Sequence, residues 1–405
     1  MRFSIGLLAF ALLGASQAAT VPIPAPPTSD PALVTPQATL DANIQCPGLS
    51  GGYAAAKNPI LLVPESVKSQ RAELTLYLPR VLRSGTGNTG SESFDSNYVI
   101  LTRNLGYQPC YISPPPFMLN DSQINAEYVV NAVSRLNAAS GKKIPVLGWS
   151  QGNLIIQWAL TFFPSTVGKV DRFVSFAGDF RGTVLAYLLD AQPLGIAPSI
   201  WQQSTLSAYL TALRNAGGLT AKVPTTSIYS VTDEIVQPQI GGPAIESSYL
   251  FGSLATNVKV QDYCPLLLVE HSQELFNAFT YAVAKAALQS PTGKAEAGSF
   301  TSASCSLGFP PGLGLGDQLV APTIIVQAAT HIIAGPRVPC EPPLLPYAAK
   351  YYPFTTQACN PLSQVVDGFV PQTPEQFNTY EALIVYILTH NLQNTLGTGS
   401  NSTSP

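Results

Sequence analysis

The chain has 405 residues, enough for one large α/β domain with appendages or for two or three small domains. Charged residues make up only 11% of it, less than half of the roughly 25% of an average soluble protein, whereas apolar residues make up 46%. These proportions exclude a disordered, highly charged chain. The net charge is −3, and lysine and arginine cluster in no more than one short stretch. We therefore exclude a protein that binds nucleic acid through the phosphate backbone.

The N-terminus has the pattern of a secretory signal peptide. Arg2 precedes an apolar run from Ile5 to Leu13, and small residues follow up to Ala18. Residues 1–18 are thus predicted to be cleaved, and the protein to be secreted and extracellular. The run is far shorter than the roughly 20 residues that cross a bilayer, and no later segment reaches that length unbroken, so we expect no transmembrane segment. Residues 19–40 are rich in proline and are expected to form a pro-segment or linker outside the fold.

Short apolar runs then alternate with longer helical patterns along the chain. The predicted strands are Ile60–Val63, Pro109–Ile112, Ile144–Trp149, Phe173–Phe176 and Ser227–Val231. The predicted helices are Ile124–Ala139, Asn153–Phe163, Thr205–Asn215, Leu275–Leu288, Leu319–Ala334 and Pro374–Leu392. This alternation predicts an α/β fold with a mostly parallel central sheet and helices on both faces.

Cysteine is present in an even number. The chain has six, none in a CxxC pair or in a Cys/His spacing typical of a metal site. In a secreted chain this favours three disulfides over a metal, and the sequence by itself leaves their pairing open. The cysteines are Cys46, Cys110, Cys264, Cys305, Cys340 and Cys359.

Two pentapeptides match GxSxG, the nucleophile elbow that turns a strand sharply into a helix and exposes a serine hydroxyl. Ser150 follows an apolar run that begins at Ile144 and precedes a helical pattern that begins at Asn153, as the elbow requires. Ser50 has neither a strand pattern before it nor a helical pattern of this kind after it, and it is interpreted as a loop serine. Ser150 is therefore the candidate nucleophile.

A serine hydroxyl needs a base to accept its proton, and histidine has the pKa that suits this near neutrality. The chain has three histidines. His331 and His390 lie within helical patterns, where a packing or surface role is the ordinary interpretation. His271 follows the apolar run Leu266–Glu270, interpreted as a strand, and opens a helix. It is the candidate base.

The third member of such a triad is a carboxylate that orients the histidine, and in this topology it lies between the serine and the histidine in sequence. Asp233 directly follows a predicted strand and is preferred, whereas Glu234 is interpreted as its solvent-facing neighbour. The carboxylates of this interval are Asp171, Asp179, Asp190, Asp233, Glu234, Glu246, Asp262 and Glu270.

The segment Gly85–Gly90 formally matches the dinucleotide motif GxGxxG. A dinucleotide site is disfavoured because the segment lies about 20 residues beyond its strand and no acidic ribose partner ends the next strand. A glycine-rich turn after the first strand can instead direct backbone N–H groups at the oxyanion that forms when Ser150 attacks an acyl carbon. The N–H of Gln151 is the expected second donor.

Several longer stretches identify a resemblance: Pro59–Pro64, Ser93–Asn97, Leu105–Tyr107, Ile112–Asp121, Trp149–Gly152 and Thr232–Pro238. They are similar to the family of Candida antarctica lipase B and related fungal lipases, and the similarity covers about residues 30–359. The resemblance implies an α/β-hydrolase fold with one catalytic domain at residues 41–359. It also implies a Ser-Asp-His triad that falls on Ser150, Asp233 and His271.

The resemblance assigns further roles around the nucleophile. It implies that Thr86 donates to the oxyanion through its backbone and its hydroxyl, together with Gln151. Trp149 would line the alcohol side of the pocket, and Asp179 would be a buried carboxyl beside the acyl channel. Structural packing is the alternative for these last two residues.

Covalent features follow from the same resemblance. Asn120 begins a glycosylation sequon at a family position, and Asn401 begins a second sequon in the tail. The implied disulfides are Cys46–Cys110, Cys264–Cys305 and Cys340–Cys359.

Three features depart from the family pattern. Residues 65–84 intervene between Pro64 and the oxyanion loop, and six of these twenty residues are charged. They are interpreted either as an intron retained in the gene prediction, which we favour, or as a lid-like insertion over Ser150. A C-terminal extension of residues 360–405 is longer than the family's tail, and Gly148 stands where the best-known member has threonine.

These observations predict a secreted serine ester hydrolase, a lipase or carboxylesterase that acts on lipid or other ester substrates at an oil–water interface. No cofactor, metal or nucleic acid is expected, and we expect a monomer. A polyester hydrolase, wax-ester hydrolase or acyltransferase would use the same triad, since the triad is indifferent to what resolves the acyl-enzyme. An inactive binding module on a hydrolase fold is disfavoured because all three triad positions are present.

Overall fold

The computed structural model describes residues 24–64, 89–116, 118–186, 195–353, 357 and 359. Its strands, in chain order, are β1 (Ile44–Gln45), β2 (Pro59–Val63), β3 (Gln108–Ile112), β4 (Ile144–Trp149), β5 (Val170–Phe176), β6 (Thr225–Tyr229) and β7 (Ala255–Lys259). They form one sheet in the order β1-β3-β2-β4-β5-β6-β7. Every neighbouring pair is parallel except β1 with β3, which is antiparallel and closes one edge.

Helices connect the strands. The α-helices in the described residues are α1 (Gln37–Ala42), α2 (Gly90–Phe94), α3 (Tyr98–Asn104), α4 (Ser122–Ser140), α5 (Gln151–Phe162), α6 (Pro164–Val167), α7 (Pro198–Gln203), α8 (Ala208–Asn215), α9 (Val260–Tyr263), α10 (Ala278–Gln289), α11 (Leu315–Gln318), α12 (Ala321–Ala334) and α13 (Pro346–Ala349). Short 3₁₀ helices lie at Gly52–Ala55, Ser272–Leu275 and Ser302–Ser306.

The sheet is buried on both faces. Successive side chains of a strand point to opposite faces, so a strand covered on both sides is apolar throughout. In β2, Leu61 and Val63 pack in one apolar cluster with residues of α4 and α5. Ile60 and Leu62 pack in a second cluster with residues of α3 and α10. This confirms the predicted parallel sheet with helices on both faces.

Most predicted elements are present, with ends that differ by a few residues. The strands β1, of two residues, and β7, in which only Val258 is buried, are not among the predicted elements. The predicted strand at Leu266–Glu270 is wrong, because this stretch is a loop in which Leu266 is 95% exposed and Leu268 is 71% exposed. The leucines at positions 266 and 268 therefore face solvent, and the apolar run does not indicate a strand that is buried in the sheet.

Two helices begin later than predicted because a side chain caps them. Ser207 accepts a hydrogen bond from the Leu210 N–H, so the helix predicted from Thr205 starts as α8. Asn277 likewise accepts from the Phe279 N–H, so the helix predicted from Leu275 is split into a 3₁₀ turn and α10.

The expectation that residues 19–40 lie outside the fold is wrong for the part that the structure describes. The N–H groups of Val34 and Thr35 donate to the two carboxylate oxygens of Glu127 on α4, each at 2.8 Å. Residues 37–42 form α1, which also packs on α4. An extended segment cannot satisfy its own N–H groups, and the buried Glu127 supplies the acceptors.

Three disulfides join Cys46 to Cys110, Cys264 to Cys305 and Cys340 to Cys359, which are the pairs implied by the resemblance. The predicted signal peptide, residues 65–84 and the C-terminal extension with its helix at Pro374–Leu392 lie outside the described residues. In the part that is described, no helix is long and apolar enough to cross a membrane.

Candidate active site

Ser150 lies at the turn between β4 and α5, where the chain reverses from strand to helix. Its backbone has φ 54° and ψ −130°, in a region that few residues with a Cβ adopt. The Ser150 N–H donates to the Phe176 carbonyl at 3.0 Å. The Asn153 amide donates to the carbonyls of both Ser150 and Phe176, at 3.0 and 2.7 Å. These bonds hold the elbow against β5.

Small residues on either side make this turn possible. A Cβ at Gly152 would overlap the backbone carbonyl oxygens of Val63 and Pro64 at the end of β2. A Cβ at Gly148 would overlap the side chains of Asn153 and Ile156. The close approach of α5 to β2 thus requires glycine at position 152, whereas the overlap at Gly148 is with side chains that can shift.

Three side chains from separate elements form one hydrogen-bonded row. Ser150 Oγ lies 2.9 Å from His271 Nε2, and His271 Nδ1 lies 2.8 Å from Asp233 Oδ2. The side chains of His271 and Asp233 are fully buried, and Ser150 is 2% exposed. The structure thus brings together the serine, histidine and carboxylate that the sequence analysis selected.

The Asp233 carboxylate is fixed from both ends. Its second oxygen, Oδ1, accepts the backbone N–H groups of Ile235 and Val236, each at 2.8 Å. These bonds fix the orientation of the carboxylate and leave Oδ2 to His271. The turn after β6 therefore presents an oriented carboxylate to the imidazole.

The backbone of His271 also forms hydrogen bonds to neighbouring side chains. Its N–H donates to Glu234 Oε2 at 2.8 Å, and its carbonyl accepts the indole N–H of Trp149 at 3.2 Å. Glu234 is exposed, as predicted, yet it also anchors the histidine, a role that the sequence analysis missed. Thr232 Oγ1 bonds both the N–H and the carbonyl of Val269, which joins the acid turn to the histidine loop.

The chain is 48% identical to lipase B of Pseudozyma antarctica, also called Candida antarctica, over 328 residues, which are 80% of this chain and 89% of that protein. The chain belongs to the lipase B family. The crystal structure of Aspergillus fumigatus lipase B aligns with 84% of this chain and 77% of its own, at 30% identity and a TM-score of 0.69. The chain matches no protein-family model.

As a lipase B family member, the protein is a lipase or esterase with an α/β-hydrolase fold. The described residues that the family pattern places around the nucleophile are all buried. Trp149 is fully buried, and its ring centroid lies 5.1 Å from that of His271. Asp179 is fully buried. Gln151 is the first residue of α5 and is 2% exposed.

Other predicted residues lie apart or outside the described part of the chain. Asn120 is half-buried just before α4. His331 lies within α12, where burial lowers its pKa to about 4. Thr86, His390 and Asn401 are outside the described residues, so their roles stay predictions.

A second carboxyl beside the triad was not anticipated from the sequence. Glu274 lies in the 3₁₀ helix that begins directly after His271, and it is fully buried. Its Oε1 accepts the N–H of Ser230, which precedes Asp233 by three residues, at 3.0 Å. The only sequence signal is a glutamate that lies three residues after the histidine and directly before Leu275 and Phe276.

An apolar surface borders the histidine loop. Leu268 and Leu307 are exposed and line one cleft of about 350 Å³ together with Gln273, Phe276 and Gln318. None of the three triad residues lines this cleft. The exposed large apolar side chains of the same segments are Leu266, Leu268, Leu307, Phe309, Leu315 and Leu319.

Proposed function

We propose that this enzyme is a secreted serine ester hydrolase that cleaves carboxylic esters of lipids through Ser150, His271 and Asp233. The observation that carries the proposal is the buried row of hydrogen bonds from Ser150 Oγ through the imidazole to Asp233. Each of the three side chains comes from a different loop at the carboxyl end of the parallel strands, the usual place for a site in this architecture.

The reaction proceeds through an acyl-enzyme. Ser150 Oγ attacks the ester carbonyl carbon while His271 Nε2 accepts its proton, and Asp233 stabilises the imidazolium that forms. Collapse of the tetrahedral intermediate breaks the bond to the alcohol oxygen, which takes the proton from His271. Water, activated by the same imidazole, then attacks the acyl-enzyme and releases the acid and Ser150.

The oxyanion of each tetrahedral intermediate needs donors at a fixed position. We assign this role to the backbone N–H of Gln151, at the positive end of the α5 dipole, and to Thr86. Trp149 and Asp179 are assigned to the alcohol and acyl sides of the pocket. The contact between Trp149 and the His271 carbonyl supports a position beside the departing alcohol.

The natural substrate is assigned as a lipid at an oil–water interface. The exposed leucines around the cleft support this, because exposed apolar patches on soluble proteins mark sites that contact other apolar surfaces. Leu266 and Leu268 lie on the loop that leads to His271, which places this apolar surface next to the segment that carries the catalytic base.

Secretion is supported by three disulfides, which persist in oxidising compartments. We assign residues 1–18 as the cleaved signal, and Asn120 and Asn401 as glycosylation sites. The catalytic domain is assigned to residues 34–359 rather than 41–359, because residues 34–40 pack on α4. The enzyme is assigned as a monomer, which size-exclusion chromatography with light scattering tests directly.

Replacing Ser150 tests the function. Ser150→Ala should lower hydrolysis of p-nitrophenyl esters by at least about a thousandfold, because it removes the attacking oxygen and the acyl-enzyme. A fluorophosphonate should label the wild type once, at Ser150. Comparing soluble short-chain esters with emulsified long-chain triacylglycerols then measures the lipid preference.

The chain provides matched controls in its second GxSxG motif and in its second described histidine. Ser50→Ala should keep wild-type activity and labelling, and His331→Ala should retain activity where His271→Ala loses it. Labelling at Ser50, or full activity in Ser150→Ala, would overturn the proposed triad.

A further inference from the structure

Glu274 forms a hydrogen bond to the turn that carries the triad acid, Asp233. Its Oε1 accepts the Ser230 N–H, and the Ser230 carbonyl accepts the Asp233 N–H at 3.3 Å. Ser230 and Glu274 are both fully buried. The Ser230 N–H has no solvent to bond to, so this turn after β6 depends on an acceptor at position 274.

The other end of the carboxyl is buried away from solvent. Glu274 Oε2 is buried and accepts no well-oriented hydrogen bond from a described residue, since the nearby N–H of Ala177 donates to the Ile228 carbonyl. The titratable groups that face Glu274 are Asp233 on the β6 turn, His271 on its own segment and Tyr98 on α3. The Tyr98 hydroxyl is also buried without a hydrogen-bond partner among the described residues. No cationic side chain other than His271 is among these groups.

This environment disfavours a charge on Glu274. Burial, and then the negative charge of Asp233, raise its pKa well above the usual range, against smaller opposite effects of His271 and of the nearby N–H groups of Ala177 and Ser230. An ionised carboxylate with one unsatisfied oxygen is costly in such a region, whereas a neutral carboxylic acid is tolerated.

We propose that Glu274 is a positioning residue that acts as a neutral carboxylic acid: it holds the Ser230–Asp233 turn while leaving Asp233 as the single buried negative charge beside His271. The carboxylate of Glu234, which accepts the His271 N–H, is exposed, so its charge is screened by solvent. This inference rests on the proposed triad. The reason is electrostatic, because a second carboxylate near the imidazole would raise the pKa of His271 and keep it protonated when it must accept the proton of Ser150.

Glu274→Gln separates charge from hydrogen bonding. The amide oxygen can still accept the Ser230 N–H, and the substitution removes no charge if Glu274 is neutral. We expect kcat/KM within about threefold of wild type, and the acidic limb of its pH profile within about 0.3 unit. If Glu274 is ionised in the wild type, the limb will instead move down by about one unit or more, and the proposal fails.

Glu274→Ala tests the positioning role. Removing the acceptor should lower kcat by at least about tenfold with little change in KM, and Glu274→Gln should restore it. Wild-type kcat in Glu274→Ala would overturn the proposal. Glu270→Gln is the matched control, because Glu270 is exposed on the same segment and its neutralisation should leave rate and profile unchanged.

Infrared spectroscopy gives a readout that does not depend on activity or on the alanine variant folding. The difference between the spectra of the wild type and Glu274→Gln at neutral pH should contain the carbonyl stretch of a protonated, buried carboxylic acid; the band of Glu341, which is common to both proteins, cancels. A difference spectrum without this band contradicts the inference. Activity of the wild type and its loss in Ser150→Ala test the proposed function separately, so the two failures are distinguishable.

Discussion

At the scale of single residues, the nucleophile carries backbone strain that its neighbours offset. A non-glycine residue at the dihedral angles of Ser150 costs about 1–3 kcal/mol. The Ser150 N–H bond to Phe176 and the two bonds of the Asn153 amide each contribute on the order of 1 kcal/mol. Asn153 therefore has a structural role in the elbow, although it touches none of the reacting atoms.

The glycines of the elbow should respond unequally to substitution. In Gly152→Ala the new methyl meets backbone oxygens of β2, which cannot move without disturbing the sheet, so we expect a loss of more than about 3 kcal/mol. In Gly148→Ala it meets side-chain atoms of Asn153 and Ile156, which can shift, so about 1–2 kcal/mol is expected. Urea unfolding monitored by tryptophan fluorescence measures both.

Gly168→Ala is the control for this series. Gly168 has helical dihedral angles, and a Cβ there would lie 3.9 Å from its nearest neighbour, so the change should be neutral or slightly stabilising. Equal losses in Gly148→Ala and Gly152→Ala would contradict the distinction between backbone and side-chain overlap.

Sequence patterns could identify the triad candidates but not the residues that hold them. Ser150 lies in a motif with a strand pattern before it and a helical pattern after it. The presence of only three histidines limits the choice of the base, and the position of Asp233 directly after a strand favours it as the acid. Glu234 and Glu274 bond backbone N–H groups that are 37 and 44 residues away in the chain. A bond to a backbone N–H leaves no signature in residue type, so only the fold reveals it.

At the scale of elements, one carboxyl connects the C-terminal segment to a helix. Glu341 Oε2 and Oε1 accept the N–H groups of Ala208 and Tyr209 at the start of α8, both at 2.9 Å. These N–H groups have no acceptor within the helix, so Glu341 caps α8 from a distant part of the chain. Its neighbour Cys340 fixes the segment further through the disulfide to Cys359.

The cap should make stability depend on pH. Burial raises the pKa of Glu341 from 4.5 to about 8, although its two N–H bonds act in the opposite direction. Because the folded-state pKa is raised, the protonated form is favoured by folding, and this contribution is complete below about pH 4.5 and lost as pH rises through about 8. The loss is at most about 1.4 kcal/mol per pH unit in that window.

Comparison with Glu341→Gln isolates this effect from other titrating groups. The difference in unfolding free energy between wild type and variant should shrink as pH rises from 5 to 9, because only the wild type ionises at this position. Glu296→Gln, at an exposed carboxylate, should give a difference that hardly varies with pH. A wild-type advantage that grows with pH would show that Glu341 caps α8 as a carboxylate.

Buried central strands can be predicted from the sequence, whereas the edge strand β7 cannot. Buried parallel strands such as β2 and β4 are continuous apolar runs and could be located from the sequence. The edge strand β7, with only Val258 buried, has no such run and was missed. The opposite error at Leu266–Glu270 arose because leucines that face solvent are indistinguishable, in sequence, from leucines that face a core.

At the scale of the whole molecule, both ends of the described chain pack on the face that carries α4 and α5. The N-terminal segment bonds Glu127 on α4, and the Tyr347 hydroxyl accepts the indole N–H of Trp158 on α5 at 3.0 Å. The triad loops lie at the carboxyl ends of β4 and β6 instead. The hydrogen bonds that hold both ends of the described chain therefore involve none of the triad residues.

The mature protein is expected to lack residues 65–84. Residues 65–84 are far more charged than the rest of the sequence, and they separate Pro64, at the end of β2, from the capping box that opens α2 at Thr89. Because we favour a retained intron, mass spectrometry of the secreted protein should yield a peptide that joins Pro64 to Gly85 or nearby, and an N-terminus after residue 18. A tryptic peptide from Ala72–Arg80 would eliminate the intron and establish the segment as a true insertion.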